Sequence, residues 1–491
     1  MPETTAATPI SPIDSLTTPL ARAAEVPVPA ADELAGRFAL TPNPAPASAE
    51  ERARLLERPG FGSTFTDHMA HARWVAGQGW TDHGIIPFGD LNLSPAAAVL
   101  HYSQEVFEGI KAYRHADGSV WTFRPRYNAA RMNASARRLA MPELPEEDFI
   151  ASLIGLVRAD AAWVPSGDGE SLYLRPFAFA SEAFLGVHSA SVIDYYVIAS
   201  PSGAYFTGGL TPISIWVSGD YHRAGRGGTG AAKTGGNYAG SLLPQQIAAE
   251  QGCDQVCFLD DVTQTNIEEL GGMNLMVVDA DGTVRTPRLT GTILEGSTRS
   301  AILRLLADSG RRIVEDTISL AGLLEGIRSG AITEVFACGT AAVVVPLGRL
   351  KGEGFDLELG GHEVTSEIHA QLTAIQNGTA PDPYGWMYRL PLAAPPSPDP
   401  AHPLIVPGPP LLQRLRRRWG RPALSIVLVD PGTAETARAA IRSCLNQSLR
   451  EIEVLVAIGG SGDGALDGAA REAVEELATR DSRVRVIDGG A

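Results

Sequence analysis

At 491 residues the chain exceeds one ordinary domain, length alone predicting about three, and its 44% hydrophobic content is enough for sizeable cores. A formal charge of -16 argues against nonspecific adhesion to nucleic acid or an anionic membrane, while leaving room for a local cationic pocket. Cys253, Cys257, Cys338 and Cys444 are too few for a disulfide scaffold, and Cys253 and Cys257 lack partners at zinc-ligand spacing, so free buried thiols and no metal site are expected.

The first stretch, Met1 to Ser48, carries prolines and acids rather than a basic region followed by an apolar block, and reads as a mostly disordered leader of a cytoplasmic protein. No apolar run reaches the roughly 18 residues a spanning helix needs. Residues 49–200 mix strands and helices. Lys111 to Arg114 and Val120 to Pro125 form a predicted hairpin through Asp117-Gly118, and a helix begins near Glu146 with Phe149, Ile150, Leu153, Ile154 and Val157 on one face. A turn-rich joint, residues 201–211, leads to a second unit, residues 212–392. Its predicted strands are Ile213 to Ser218, Gln255 to Leu259, and Met273 to Val278 turning back through Asp281-Gly282 into Thr283 to Thr286. Strands interrupted by helices, with several hairpins, predict an α+β pair of domains rather than a doubly wound sheet.

Eight prolines between Ala393 and Pro410 (Pro395, Pro396, Pro398, Pro400, Pro403, Pro407, Pro409 and Pro410) mark a semi-rigid linker, residues 393–421. Its basic end, Leu411 to Trp419, is short enough that a solvated linker helix is favoured over a membrane-surface one. Residues 422–491 alternate strand (Leu424 to Val429), helix (Ala434 to Leu445), strand (Ile452 to Ile458), helix (Ala469 to Thr479) and strand (Val484 to Ile487), the pattern of an open α/β unit. There is no internal repeat.

The most informative segment is Ala231-Ala232-Lys233-Thr234-Gly235-Gly236-Asn237-Tyr238. A lysine amine becomes a useful nucleophile when its reach is fixed, for instance by condensing as a Schiff base with an aldehyde cofactor. The glycines would let the backbone approach a bulky ring, and the tyrosine hydroxyl would bond a phenolic oxygen on it. A pyridoxal phosphate site also needs a carboxylate for the pyridine nitrogen and a cradle for the phosphate. Glu269, in Glu268-Glu269-Leu270-Gly271-Gly272-Met273-Asn274, is the acid candidate, although an isolated acidic pair is usually a solvated turn. Gly296-Ser297-Thr298-Arg299-Ser300, opening an apolar helix from Ala301 to Leu306, is the cradle candidate, although ordinary N-capping explains the same residues. The small-residue turn Cys338-Gly339-Thr340-Ala341-Ala342 after the strand Glu334 to Ala337 offers further backbone N–H groups to phosphate and to a substrate carboxylate.

Residues Phe61 to Leu392 resemble a branched-chain amino acid aminotransferase of the two-domain fold type IV pyridoxal phosphate class. The resemblance is carried by Phe65 to Met69, Val106 to Tyr113, Phe123-Arg124-Pro125, Ser171 to Pro176, Lys233 to Tyr238, Glu269 to Asn274 and Glu334 to Ala341. It implies that Lys233 is the Schiff-base lysine and proton shuttle, that Tyr238 bonds the phenolic oxygen, and that Glu269 faces the pyridine nitrogen. It further implies that Arg131, Ser297, Thr298 and Thr340 hold the phosphate. By the same resemblance Tyr102, Phe107, Tyr173 and Tyr205 line the substrate pocket with Thr340 and Ala341, while Arg175 receives the distal carboxylate of glutamate. Taken alone, the aromatics would be core residues and the arginines solvated. The implied reaction moves an amino group between Leu, Ile or Val and 2-oxoglutarate by ping-pong exchange in a homodimer.

The chain departs from the family pattern in three places. Ala342 and Val345 stand where some members carry a Cys-x-x-Cys pair, Gly272 replaces a frequent threonine, and Glu295 replaces the usual proline before the phosphate glycine. Glu295 is expected to be exposed, since an unpaired buried charge is costly. Residues 423–491 resemble the first part of a family 2 glycosyltransferase (A-like fold) through Leu424 to Val427, Cys444 to Leu449 and Gly460 to Gly464. Ile458 and Gly459 occupy the places of that family's nucleotide-binding aspartates, so an inactive partial unit is expected. The competing readings are a D-amino acid aminotransferase or aminodeoxychorismate lyase of the same fold, and a nucleotide-sugar-binding module on an inactive scaffold.

Overall fold

The computed structural model describes residues 14–203 and 210–392, together with three strands of the C-terminal segment. The chain divides into two compact units, Met1–Pro395 and Pro396–Ala491. Tyr205, Cys444, the stretch Leu411 to Trp419 and the two predicted tail helices lie outside the described residues.

The first sheet is built from β1 (Ala39–Leu40), β2 (His68–Val75), β3 (Gly79–Pro87), β4 (Glu105–Phe107), β5 (Ile110–Arg114), β6 (Val120–Phe123), β7 (Ser171–Ala180) and β8 (Val192–Ser202). Its order is β1-β3-β2-β8-β7-β5-β6, with β4 also paired to β7. The β5–β6 hairpin turns where Asp117-Gly118 predicts it, Gly118 taking a φ of 81°. The leader proves structured from Asp14 onward, which corrects the expectation of disorder for that part. It holds α1 (Pro19–Glu25), capped by the Thr18 side chain, then α2 (Ala31–Leu34) and β1, ahead of α3 (Ala49–Leu56). Leu34, Ala35 and Phe38 enter the same apolar core as Ile85 and Ile154, which gives this segment a reason to order.

Between these strands run α4 (Ala98–Tyr102), α5 (Pro125–Arg138) and α6 (Glu146–Ala159). The predicted apolar face of α6, Phe149, Ile150, Leu153, Ile154 and Val157, is buried against the sheet. Each such side chain contributes roughly 1.5–3 kcal/mol of burial free energy.

The second sheet comprises β9 (Ile213–Ser218), β10 (Gln255–Leu259), β11 (Asn266–Leu270), β12 (Asn274–Asp279), β13 (Val284–Pro287), β14 (Ile313–Asp316), β15 (Ile318–Ser319), β16 (Ile332–Gly339), β17 (Val343–Gly352) and β18 (Phe355–Glu358). Its order is β14-β13-β12-β16-β17-β9-β10-β11-β15, and β18 joins β17. An extra pairing, Glu269 opposite Asn274, closes β12-β16-β17-β9-β10-β11 into a ring and brings Glu269 to the seam. Around it lie α7 (Gly235–Ala239), α8 (Leu242–Glu250), α9 (Ser297–Asp308), α10 (Leu320–Ser329) and α11 (Glu363–Gln376). The chain then returns: β19 (Met387–Leu390) pairs antiparallel with β6, so the second half completes the first sheet.

In the C-terminal unit β20 (Leu424–Val429), β21 (Ile452–Ile458) and β22 (Val484–Asp488) form a parallel sheet in that order. Among the described residues no helix is long and apolar enough to cross a membrane.

Candidate active site

Lys233 lies in the connection before α7, and that connection is pinned on both sides of it. The Asn237 amide donates to the carbonyls of Thr229 (2.8 Å) and Ala232 (2.9 Å), and the Lys233 backbone N–H donates to Ser135 Oγ of α5 at 2.9 Å. With the stem fixed, Nζ donates to Tyr238 Oη at 2.7 Å and stands over the rings of Phe107 (4.8 Å) and Tyr238 (5.1 Å). At Gly235 a Cβ would displace the Glu105 carboxylate, which accepts the Gly235 N–H, whereas Gly236 has open space.

Successive strand residues point to opposite faces, so β11 sends Glu268 and Glu269 different ways. Glu268 is bonded by the Thr292 hydroxyl. Glu269, 3% exposed, lines the cleft that holds Lys233. Its Oε1 accepts from the Leu294 N–H (2.7 Å) and lies 2.9 Å from Arg223 Nη1 as an ion pair, while Oε2 has only a 3.2 Å contact from Asn274 Nδ2. Burial pushes the carboxyl up to about 7, with Arg223 pulling in the opposite direction.

The cradle is the start of α9. Gly296 occupies its N-cap with no capping side chain, so the first N–H groups of Ser297 and Thr298 have no side-chain partner. Arg131 lies alongside: Nε and Nη2 each bond Glu108 at 2.8 Å, and Nη1 donates to the Glu295 carbonyl at 3.0 Å. The Glu295 side chain is not free in water as expected. Half-buried, it accepts from Tyr127 Oη at 3.1 Å and from the Thr18 hydroxyl, and so points away from the cradle.

Across the cleft, Arg175 lies over the rings of Phe107 (4.9 Å) and Tyr173 (5.5 Å), and its buried Nε has no hydrogen-bond partner. The turn Gly339-Thr340-Ala341 forms the remaining wall. Behind it Lys111, 7% exposed, donates from Nζ to the Ala341 carbonyl at 2.7 Å. Tyr102 is not brought to this cleft within its own chain. Ser103 turns left-handed (φ 49°), and Tyr102 packs on Phe184 and bonds the Leu185 carbonyl.

The cleft encloses about 210 Å³ and is lined by Arg131, Lys233, Tyr238, Glu269, Ser297, Thr298 and Thr340 together with Phe107, Tyr173, Arg175 and Ala341. A larger hollow of about 690 Å³ beside Asp117 and Arg389 contains no lysine. Sequence reasoning missed Glu108, Arg223, Ser135, Lys111 and Phe61, the last a cleft residue whose ring meets that of Tyr173 edge-on at 5.0 Å. Only Glu108 and Lys111 carried a signal, as charged residues inside the otherwise apolar Val106 to Tyr113 motif.

The family profile described as Amino-transferase class IV matches residues 105–350. The probable branched-chain-amino-acid aminotransferase of Streptomyces coelicolor is 52% identical over 355 residues, 72% of this chain and 98% of its own length. The branched-chain-amino-acid aminotransferase of Mycobacterium tuberculosis is 51% identical over 352 residues, 70% and 96%. The chain belongs to the class IV branched-chain-amino-acid aminotransferases. The Escherichia coli branched-chain aminotransferase structure covers 66% of this class IV chain and all (100%) of its own at 28% identity and a TM-score of 0.54. The T.th. enzyme, solved with N-(5'-phosphopyridoxyl)-L-glutamate, covers 66% and 99% at 26% identity and a TM-score of 0.54. Class IV aminotransferases use pyridoxal 5'-phosphate, and this cleft fits it on three counts: an amine of fixed reach, a buried acid with coordination to spare on Oε2, and helix N–H groups left uncapped.

Proposed function

We propose that this aminotransferase exchanges amino groups between Leu, Ile or Val and 2-oxoglutarate in a ping-pong cycle. The observation that carries the reading is the Lys233 Nζ, held 2.7 Å from Tyr238 Oη in a cleft that also contains the buried Glu269. Pyridoxal 5'-phosphate, when bound, supplies an aldehyde for the amine and a ring that withdraws electrons from the substrate alpha carbon. Lys233, its amine freed when the amino acid takes its place, would accept the proton from the substrate alpha carbon and deliver it to the carbon that had carried the aldehyde oxygen, two atoms away across the nitrogen. Tyr238 donates to the phenolic oxygen, and Glu269 keeps the ring nitrogen protonated. The N–H groups of α9 and Arg131 hold the phosphate, and Thr340 and Ala341 present N–H groups to the substrate carboxylate. Phe107 and Tyr173 give an aliphatic side chain apolar walls, and Arg175, with donors to spare, receives the second carboxylate of glutamate. The glutamate adduct in the T.th. relative supports the same amino-group partner here.

A homodimer is part of this reading. Leu185 (68% exposed) and Val187 (88%) extend from the patch on which Tyr102 lies, and so large an apolar exposure suits a second copy. Tyr102 then lines an interface rather than its own cleft, and Tyr205 is retained as a pocket residue by family likeness. A cytoplasmic location agrees with the free, buried Cys253, Cys257 and Cys338. The three parallel strands of the tail are compatible with a partial, inactive glycosyltransferase-like unit. The deciding experiment is an absorbance spectrum of the reconstituted protein with and without leucine, repeated for Lys233→Ala. The wild type should show a lysine-linked band that leucine bleaches, and the variant should show none. A wild type without that band rejects the assignment.

A further inference from the structure

Glu295, the acid in place of a proline next to the phosphate glycine, has its partner in the N-terminal segment. The Thr18 hydroxyl, which accepts from the Ala21 N–H at 3.1 Å as the cap of α1, donates its own proton to Glu295 Oε1. One residue is thus gripped from two sides, its side chain by Thr18 and its carbonyl by Arg131 at 3.0 Å, immediately before Gly296 opens the cradle. A second grip lies one residue past Thr298. Arg299, 1% exposed and among the largest fully buried side chains of the described residues, donates to the Ser15 hydroxyl and to Glu315, each at 2.7 Å. The Ser15 N–H donates to Glu315 Oε2 at 2.8 Å, and Ser15 is itself 1% exposed, so it seals both charges from water.

We propose that Ser15 to Thr18 form a clamp that fixes the first turn of α9 and so retains the cofactor phosphate. The two hydroxyls bear on residues that bracket Gly296, Ser297 and Thr298 without reaching the cleft, which makes Ser15 and Thr18 positioning residues. The Thr18 hydroxyl also answers the question set by Glu295. Together with Tyr127 Oη, 3.1 Å from the same oxygen, it holds the carboxylate back from a dianion, at a place where like charge is repelled. The inference rests on the pyridoxal phosphate reading above.

The test uses full-length Thr18→Val, Ser15→Ala and Thr18→Val/Glu295→Gln, each loaded with cofactor and freed of excess. Decay of the lysine-linked band gives cofactor release, and melting of apo- and holoprotein is measured in parallel. Both single variants should release cofactor about 3- to 10-fold faster, the loss expected for one hydrogen bond of ordinary net strength. Leucine KM at saturating cofactor should be unchanged, and Glu295→Gln in the Thr18→Val background should restore retention by removing the loose charge. Wild-type release rates in both single variants overturn the clamp, as does an equal fall in apo and holo melting temperature with no change in release. A wild-type chain that takes up no cofactor overturns the underlying assignment as well, whereas normal uptake with unaltered retention overturns the clamp alone.

Discussion

Replacing Glu108 by leucine tests whether the cleft is organised from beneath by a buried ion pair. Glu108 is fully buried (0% exposed) and accepts from Arg131 Nε and Nη2 and from Asn128 Nδ2, all at 2.8 Å. Removing it leaves an arginine 3% exposed with two unpaired donors. Breaking one side of such a pair costs about 3–5 kcal/mol, whereas replacing both charges with apolar groups of similar volume comes close to neutral. The apoprotein of Glu108→Leu should therefore lose about 3–5 kcal/mol in urea unfolding, and Glu108→Leu/Arg131→Met should regain most of it. Cofactor retention provides a second axis, because the double variant should stay weak in retention after its stability returns. If the double variant is as unstable as the sum of the two singles, the pairing argument is wrong.

The Glu269 carboxyl is raised from its ordinary 4.5 to about 7, so the folded apoprotein binds a proton that the unfolded chain has already released. Stability therefore falls as pH rises from 4.5 to 7, by at most about 3 kcal/mol; urea titrations should show that slope in the apo wild type and not in Glu269→Gln. Lys111, lowered to about 8 by burial, holds the Ala341 carbonyl, and Lys111→Met should raise leucine KM about 3- to 10-fold while leaving the cofactor spectrum intact in steady-state and absorbance measurements. Arg175→Leu should raise the KM for 2-oxoglutarate about 10- to 100-fold, and that for leucine much less, which initial rates with each substrate varied will check.

The reacting groups were legible in the sequence because their chemistry is local: Lys233 with its glycines and tyrosine, the Glu268-Glu269 pair ahead of a strand, and a small-residue turn opening α9. Even so, the choice between Glu268 and Glu269 follows in the fold from strand alternation and from the β11–β12 seam. The supporting groups were not legible, since a buried charge is recognised by its partner and those partners are far apart in the chain. Arg223 meets Glu269, Ser15 meets Arg299, and Thr18 meets Glu295 only once the sheets are assembled. The ordering of the leader was hidden for the same reason: Leu34 and Phe38 look like isolated apolar residues among prolines until the core they enter exists. Tyr102 shows the converse, an aromatic that the resemblance assigns to the pocket and that packs on Phe184 instead, beside a left-handed Ser103.

The pairing of Met387–Leu390 with Val120–Phe123 has a consequence for synthesis. On the ribosome, the β6 edge emerges long before its neighbour does and must wait with open amide and carbonyl groups until almost the whole catalytic body has been translated. Nascent chains stalled before Met387 should therefore be sticky and recruit chaperones, and those released beyond Leu390 should shed them.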